Sequence, residues 1–431
     1  DIVLLPMFMR RPEFNPITPS ELDPPDIPAP PTRYEDLSTK PAAQIAYKNS
    51  YYSGYGPQRA VRASYENNEQ EYRNLYYRLH AEVDGPLDRV RKALTVDTSR
   101  EKVIFRTSDH GDLLGAHGGL HQKWFNLYDE ATRVPFEIIK YGTEGSPKGI
   151  IDSVPTSHVD LIPTALALAG LDQVELGQRL APLFSEFHSL PGKDLSPLLL
   201  DPETEEFKNR AIYFMTRDNM LEGDTLASAM ARGLGRADNP PGPLKIQVLP
   251  HVSTNFEGIV VKVTDNEVAG VNDSIWKITR AHDDPETWTI PNRANLSSSG
   301  PMGDTYRIDK LPDQYELYNL TNDPTESSNL WKDPKASEVF DYMKRRLGSE
   351  RLQSIPKRNT PRPYAKRKPP EAQLAGQTPP ALARGLRALL RKVGMHPEDS
   401  EEFGKDVTGK RALIVCTNTD QMSNGKATGV F

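Results

Sequence analysis

Apolar residues recur at helical spacing in two stretches of the chain. Over residues 71–94 they fall on one face of a helix. Pro86 lies inside this stretch, and because proline removes a backbone donor we expect it to kink or divide the helix. A second helix is predicted from about 159 to 169, with Ser157 as its N-cap and Gly170 as its end.

Shorter apolar runs predict strands between these helices and after them. Runs at 102–106 and 134–139 alternate with turns and helices, which predicts an α/β unit with a mainly parallel sheet. Beyond Pro197 the pattern favours a small antiparallel subdomain followed by a helix near 336–347. Its predicted strands are 211–215, 244–249, 258–263, 274–280 and 315–320. A last apolar run predicts a strand at 411–415.

Proline marks the irregular parts of the chain. Residues 1–39 are rich in proline and acidic residues, which predicts an extended surface segment. Residues 357–370 are basic and rich in proline, as linkers often are, and a short basic helix is predicted between 378 and 394.

Composition excludes several classes of protein. A length of 431 residues allows two or three domains, and 37% hydrophobic with 26% charged residues is typical of a soluble globular protein. The net charge of -6 gives no reason to expect nucleic acid as a partner, and no apolar run is long enough to cross a membrane. The single cysteine, Cys416, excludes an internal disulfide framework and favours a reducing, cytoplasmic compartment. Because the chain begins with Asp1, we expect a processed product or a fragment.

The densest cluster of ionisable residues follows the strand predicted at 102–106. Asp109 and His110 stand at its carboxyl end, where open α/β sheets collect ligands, and they are a suitable pair for a divalent cation. A solvated loop is the alternative interpretation of this stretch, which also contains Asp112, His117, His121 and Lys123. A Ser108–Asp109–His110 triad is rejected, because three consecutive residues point in different directions and cannot form a relay.

Several ordered motifs resemble those of the sulfatases, in the alkaline-phosphatase superfamily. The signature-like stretch is 107–118, and it continues in register through 122–124 and 128–136. Further matching motifs are found at 157–164, 190–195, 316–320 and 322–324, so the resemblance covers roughly residues 1–353. It implies an α/β fold with a partial alkaline-phosphatase-like sheet and a small antiparallel C-terminal α+β subdomain.

The resemblance also implies a division into four segments. Residues 1–200 would be the C-terminal part of the catalytic domain, 201–353 the C-terminal subdomain and 354–404 a basic linker. Residues 409–431 resemble the opening of a DJ-1/PfpI family protein, which would make 405–431 the truncated start of another domain. Cys416 is then expected to be a buried strand cysteine without a catalytic role.

Residue roles follow from the resemblance where residues match. Asp109 and His110 would ligate one divalent cation, Ca2+ in the first place, with Mn2+ or Mg2+ as alternatives. Lys123 would contact the sulfate ester and neutralise its leaving oxygen. His117 is a further candidate for substrate binding, with a structural loop histidine as the alternative.

The family's nucleophile is a formylglycine made from a Cys/Ser-x-Pro-x-Arg motif, which we expect to be absent. Cys416 has no proline or arginine at the required offsets. The chain alone is therefore expected to be inactive and poorly soluble, with a missing N-terminal half or a second copy as its partner. The leading hypothesis is a hydrolase of small sulfate esters. The alternatives are a phosphonate or phosphodiester hydrolase of the same superfamily and a non-catalytic binding protein.

Overall fold

The described part of the chain contains six regular α-helices and nine strands. The computed structural model describes residues 21–54, 69–96, 101–141, 149, 151, 154–184, 189–202, 204–217, 252–253, 255–283, 294–295, 306–307, 309–355 and 411–418. The helices are α1 Ala42–Gly54, α2 Glu69–Val96, α3 Asp129–Thr132, α4 Leu161–Leu168, α5 Gln173–Leu180 and α6 Ser337–Ser354. The strands are β1 Glu101–Ser108, β2 Phe136–Tyr141, β3 Ile212–Arg217, β4 Asn255–Val263, β5 Ser274–His282, β6 Ala294–Asn295, β7 Tyr306–Arg307, β8 Gln314–Asn319 and β9 Arg411–Asn418. In these ranges, no helix has the length and apolar character needed to span a bilayer.

The described residues fall into two compact units, each assembled from separate stretches. The first unit takes its residues from 1–88, 110–134 and 209–351, and the second from 89–109, 135–208 and 352–431. The division into domains at residue 200 stays a prediction. Helices and sheets are mixed along the chain, which fits an α/β class.

The first unit is built on a four-stranded antiparallel sheet. Its order is β3-β4-β5-β8, with Ile278 paired to both Ile259 and Leu317. Because successive strand residues point to opposite faces, these three side chains lie on one face and pack with Met343 of α6. The other face presents Phe256, Ala281 and Tyr318, which pack against α1 and the residues after His110. The sheet therefore supports, on one face, the loop that carries the predicted site.

Sequence patterns located most of the strands of this unit. The runs at 211–215, 258–263, 274–280 and 315–320 coincide with β3, β4, β5 and β8. The run at 244–249 and the helix between 378 and 394 lie outside the described residues. Pro86 does not divide α2, which continues from Glu69 to Val96. A proline removes one hydrogen bond, and the other bonds of a long helix outweigh that loss.

The second unit contains a three-stranded sheet with β1 in the middle. Strand β1 pairs antiparallel with β2 and parallel with β9, so the expectation of a mainly parallel sheet is not met by the described strands. The buried Phe105 ring stacks on Phe136 with ring centroids 6.2 Å apart. The exposed edge expected for 103–105 is also not found, because the last strand, where the DJ-1/PfpI resemblance lies, covers that edge.

Candidate functional site

Strand β1 delivers Asp109 to the carboxyl end of the second unit's sheet. Asp109 is the first residue after the strand and is exposed, and Ser108 Oγ donates to its Oδ1 over 3.4 Å. On the same strand end, Thr107 Oγ1 lies 3.3 Å from His158 Nε2. His158 was not selected from the sequence, although it stands within the motif at 157–164; only the fold reveals that it adjoins β1.

The motif at 157–164, which contains His158, is joined to the motif at 190–195 through the Asp160 carboxylate. The buried Asp160 carboxylate accepts hydrogen bonds from the backbone N–H of Ser157 and of Lys193, each over 2.8 Å. Gly192 is required, because a Cβ at that position would lie 1.9 Å from the carbonyl oxygen of Val159. The segments 157–164 and 190–195 therefore pack closely against each other and are joined by a hydrogen bond.

In the first unit, the chain folds back so that Lys123 meets His110. The backbone N–H of Leu113 donates to Gln122 O over 3.0 Å, and that of Gly115 donates to Leu120 O over 2.8 Å. These bonds close a tight loop over residues 111–122, which we call the return loop. At its base Lys123 Nζ contacts His110 Nε2.

The tautomer of His110 follows from its two contacts. His110 Nδ1 lies 2.8 Å from the carbonyl oxygen of Gly111, which can only accept, so Nδ1 carries the proton. The lone pair is then on Nε2 and receives an N–H of the Lys123 ammonium. Lys123 is thereby oriented at the site by a neutral imidazole.

Asp112 stabilises the return loop from inside. Its Oδ1 accepts the backbone N–H of Leu114 over 2.8 Å and that of Gln122 over 3.3 Å. Burial raises the pKa of Asp112 to about 6, although both backbone donors act in the opposite direction. Asp112 therefore joins the two sides of the return loop through its side chain.

The return loop is held in an unusual backbone conformation. Leu114, His117 and Gln122 all have positive φ, at 47°, 47° and 60°, as do three glycines of the loop. Gly118 combines a φ of 69° with close packing, since a Cβ there would lie 2.8 Å from the Glu35 carbonyl oxygen. Left-handed non-glycine residues persist only where the surrounding structure enforces them, and they are frequent at functional sites.

His117 lies inside the protein between two carboxylates. Its side chain has no exposed surface, with Nδ1 2.8 Å from Glu35 Oε2 and Nε2 3.3 Å from Glu130 Oε2. The ring stacks on Tyr128, with centroids 3.5 Å apart and an interplanar angle of 11°. Substrate contact by His117 stays a prediction; the burial fits the alternative of a structural loop histidine.

The charge of His117 follows from these contacts. Carboxylates only accept hydrogen bonds, so both ring nitrogens donate and the ring is an imidazolium. Burial disfavours that charge, but the bonds and charges of Glu130 and Glu35 outweigh it and raise the pKa of His117 to about 9. By contrast, burial and then the nearby Arg33 and Arg73 lower the pKa of His121 well below its usual value.

Further buried ion pairs attach the chain after the return loop to the sheet. Lys277 of β5, 2% exposed, lies 2.5 Å from Asp129 Oδ1 and 2.9 Å from Glu326 Oε1. Burial raises the pKa of Glu326 to about 7, against the opposing charge of Lys277. On β8, Glu316 accepts the Tyr128 hydroxyl over 2.7 Å. Glu316, the first residue of the motif at 316–320, therefore binds the tyrosine that stacks on His117.

The predicted cation pair offers fewer oxygen donors than a calcium ion requires. Ca2+ takes six to eight oxygen ligands, whereas His110 offers one nitrogen, whose lone pair already faces Lys123. Within the described ranges, no three His, Cys, Asp or Glu side chains are grouped as a metal site. The described residues do not complete a calcium site, and the ligand pair Asp109 and His110 stays a prediction.

The expectation that the chain lacks every Cys/Ser-x-Pro-x-Arg pattern is wrong. Residues 354–358, which begin with Ser354 and contain Pro356 and Arg358, fit it. Ser354 ends α6, and residues 356–358 lie outside the described part of the chain. Because the resemblance places the nucleophile before the signature and this match follows the C-terminal strands, no nucleophile role is assigned to it.

Known proteins resemble the part of the chain that contains the return loop. The sequence profile of the sulfatase family matches residues 34–171. The uncharacterized sulfatase YidJ of Escherichia coli is 39% identical over 104 residues, 24% of this chain and 20% of that relative. Arylsulfatase K of Danio rerio is 38% identical over 123 residues, 27% of this chain and 23% of that relative.

These matches cover only part of this chain and only part of each relative. The chain spans less than a quarter of the length of these two relatives. A putative sulfatase of Bacteroides thetaiotaomicron has a similar solved structure, with a TM-score of 0.45 and 19% identity over 84% of this chain and 58% of that one. The likeness of 409–431 to the DJ-1/PfpI family stays a prediction. Residues 34–171 of this chain are therefore similar to the sulfatase family.

Proposed function

We propose that this chain contributes the leaving-group side of a site that hydrolyses small sulfate esters. The observation that carries the proposal is the contact between Lys123 Nζ and His110 Nε2 at the base of the return loop. It places an oriented ammonium group next to a neutral imidazole, on sequence that matches the sulfatase profile.

The chemistry of a sulfate ester suits such an ammonium group. When the S–O bond to the alcohol breaks, negative charge develops on the leaving oxygen. A fixed cation beside that oxygen stabilises the transition state more than the ground state, which is the condition for catalysis. His110 directs one N–H of Lys123 and leaves the ammonium charge in place.

Binding of a sulfate ester and its hydrolysis require different groups. A divalent cation held by Asp109 and His110 would supply further charge neutralisation, with other ligands from outside the described residues, and it would take the His110 Nε2 lone pair from Lys123. Turnover also requires a nucleophile, and none is assigned in this chain. We therefore propose that the chain alone binds sulfate esters without hydrolysing them.

Equilibrium binding of three anionic esters tests this function. The purified chain would be titrated with 4-nitrophenyl sulfate, 4-nitrophenyl phenylphosphonate and bis(4-nitrophenyl) phosphate, while release of 4-nitrophenol is monitored. We expect the sulfate ester to bind best and no nitrophenol release above buffer. Preference for the phosphonate or the diester would favour a hydrolase of those esters, and no binding of any ester would overturn the proposal.

A further inference from the structure

We propose that His117 is a positioning residue: held between Glu35 and Glu130, it fixes the return loop so that His110 and Lys123 stay in contact. The inference rests on the proposed function only for what Lys123 does. Its experiment uses no substrate, so it can fail or succeed independently of that function.

The segment before α1 lies directly across the return loop. Thr32 accepts two backbone N–H groups of the loop, from His117 to its Oγ1 over 3.0 Å and from Gly118 to its carbonyl over 2.8 Å. Arg33 packs on the next glycine, where a Cβ would lie 2.8 Å from its Nη1. The sequence predicted this segment as extended surface, yet Thr32 is buried.

The Glu35–His117–Glu130 clamp joins this segment to the far side of the loop. Glu35 precedes α1, Glu130 lies in α3, and the His117 ring bridges their carboxylates with no exposed surface. Lys40 Nζ lies 2.8 Å from Glu35 Oε1 and balances the second negative charge. Since His117 lies midway between the two ends of the loop, fixing its ring limits how far His110 and Lys123 can separate.

A purely local packing role would not need the charges. A glutamine in place of His117 would fill most of the same space, but it cannot bridge two carboxylates as a cation. The contacts therefore predict a graded series: the Glu35 contact at 2.8 Å should matter more than the Glu130 contact at 3.3 Å. Glu257 provides a matched control, since it is also buried and ion-paired, to Arg280, on the opposite face of the sheet.

Hydrogen–deuterium exchange of the full chain measures this positioning. Wild type, His117→Gln, Glu35→Gln, Glu130→Gln and Glu257→Gln would be compared over peptides covering 110–123, 255–263 and 274–282. We expect exchange in 110–123 to rise about tenfold or more for His117→Gln and Glu35→Gln, less for Glu130→Gln, and not for Glu257→Gln. Equal acceleration in all three peptides, or no acceleration in 110–123, would overturn the proposal.

A pH series on the wild-type chain keeps the test independent of whether variants fold. The groups facing the His117 ring are Glu35, Glu130 and Tyr128, with Lys40 behind Glu35. Burial, and then Glu316, raise the pKa of Tyr128 well above its usual value, so Tyr128 stays neutral in the range used. After correction for intrinsic rates, protection of 110–123 relative to 255–263 should fall between pH 8 and 10. A constant ratio across that range would contradict the clamp.

Discussion

Because His117 is buried as a cation, we expect the first unit to lose stability as the pH rises into the alkaline range. In the unfolded chain the His117 pKa is near 6.5, and in the folded protein it is raised to about 9. A group whose pKa is raised on folding stabilises the protein fully below its unfolded pKa, and this contribution disappears as pH rises through the folded pKa. At 1.36 kcal/mol per pKa unit, His117 contributes about 3 kcal/mol near pH 6, lost by about pH 10.

Urea unfolding followed by tryptophan fluorescence measures this contribution. Trp124, Trp276 and Trp331 all belong to the first unit, so their emission reports its unfolding. The free energy of unfolding would be determined at pH 6.5, 7.5, 8.5 and 9.5 for wild type and His117→Gln. Other titrating groups are common to both proteins, so we expect the difference between them to shrink by about 2–3 kcal/mol across the series.

A parallel loss of stability in the two proteins would contradict a charged His117. That outcome would mean that His117 is neutral in the folded state, with the proton on a carboxylate or absent. A difference that grows with pH would contradict the sign of the shift. His282→Gln serves as a control, because burial lowers the pKa of His282 and its removal should not reproduce the alkaline trend.

Three further substitutions or deletions test the packing around the site. Lys277→Met should cost roughly 3–5 kcal/mol in urea unfolding, because it leaves the buried Glu326 carboxylate and the partly buried Asp129 carboxylate without their cation. Lys262→Met, which breaks an exposed pair, should cost less than about 1 kcal/mol; equal costs would contradict the burial of Lys277. Gly118→Ala should lower the free energy of unfolding by about 2 kcal/mol or more. Gly348→Ala, in open space on α6, should raise it by about 0.5–1 kcal/mol. An unchanged stability of Gly118→Ala would contradict the close approach to Glu35. Deletion of 405–431 removes β9 from β1, so light scattering should show increased association, and an unchanged number of chains per particle would count against that pairing.

Local patterns along the chain were sufficient to locate elements but not their partners. The apolar run at 102–106 gave β1, and helical spacing gave α2, because both depend on short-range periodicity. The antiparallel pairing of β1 with β2 and its parallel pairing with β9 depend on contacts between distant residues. Sequence period alone carries no information about those pairings.

In the candidate site, too, the sequence indicates individual residues but not their distant partners. Asp109, His110 and Lys123 are predicted as site residues because dense ionisable residues follow a strand and match an ordered motif. The roles of Glu35 and Glu130 were missed, since a carboxylate 82 or 13 residues from His117 gives no sequence signal of its own. His117 was considered for substrate binding because the pattern could not reveal that its ring is buried.

The dependence of sulfate ester binding on Lys123 tests the central claim most directly. Affinity for 4-nitrophenyl sulfate would be measured for wild type, Lys123→Met and the exposed-lysine control Lys262→Met, with unfolding curves confirming equal stability. Loss of a charge-assisted contact predicts at least about tenfold weaker binding for Lys123→Met and no change for Lys262→Met. Equal affinity in wild type and Lys123→Met would contradict the assignment of Lys123 to the ester.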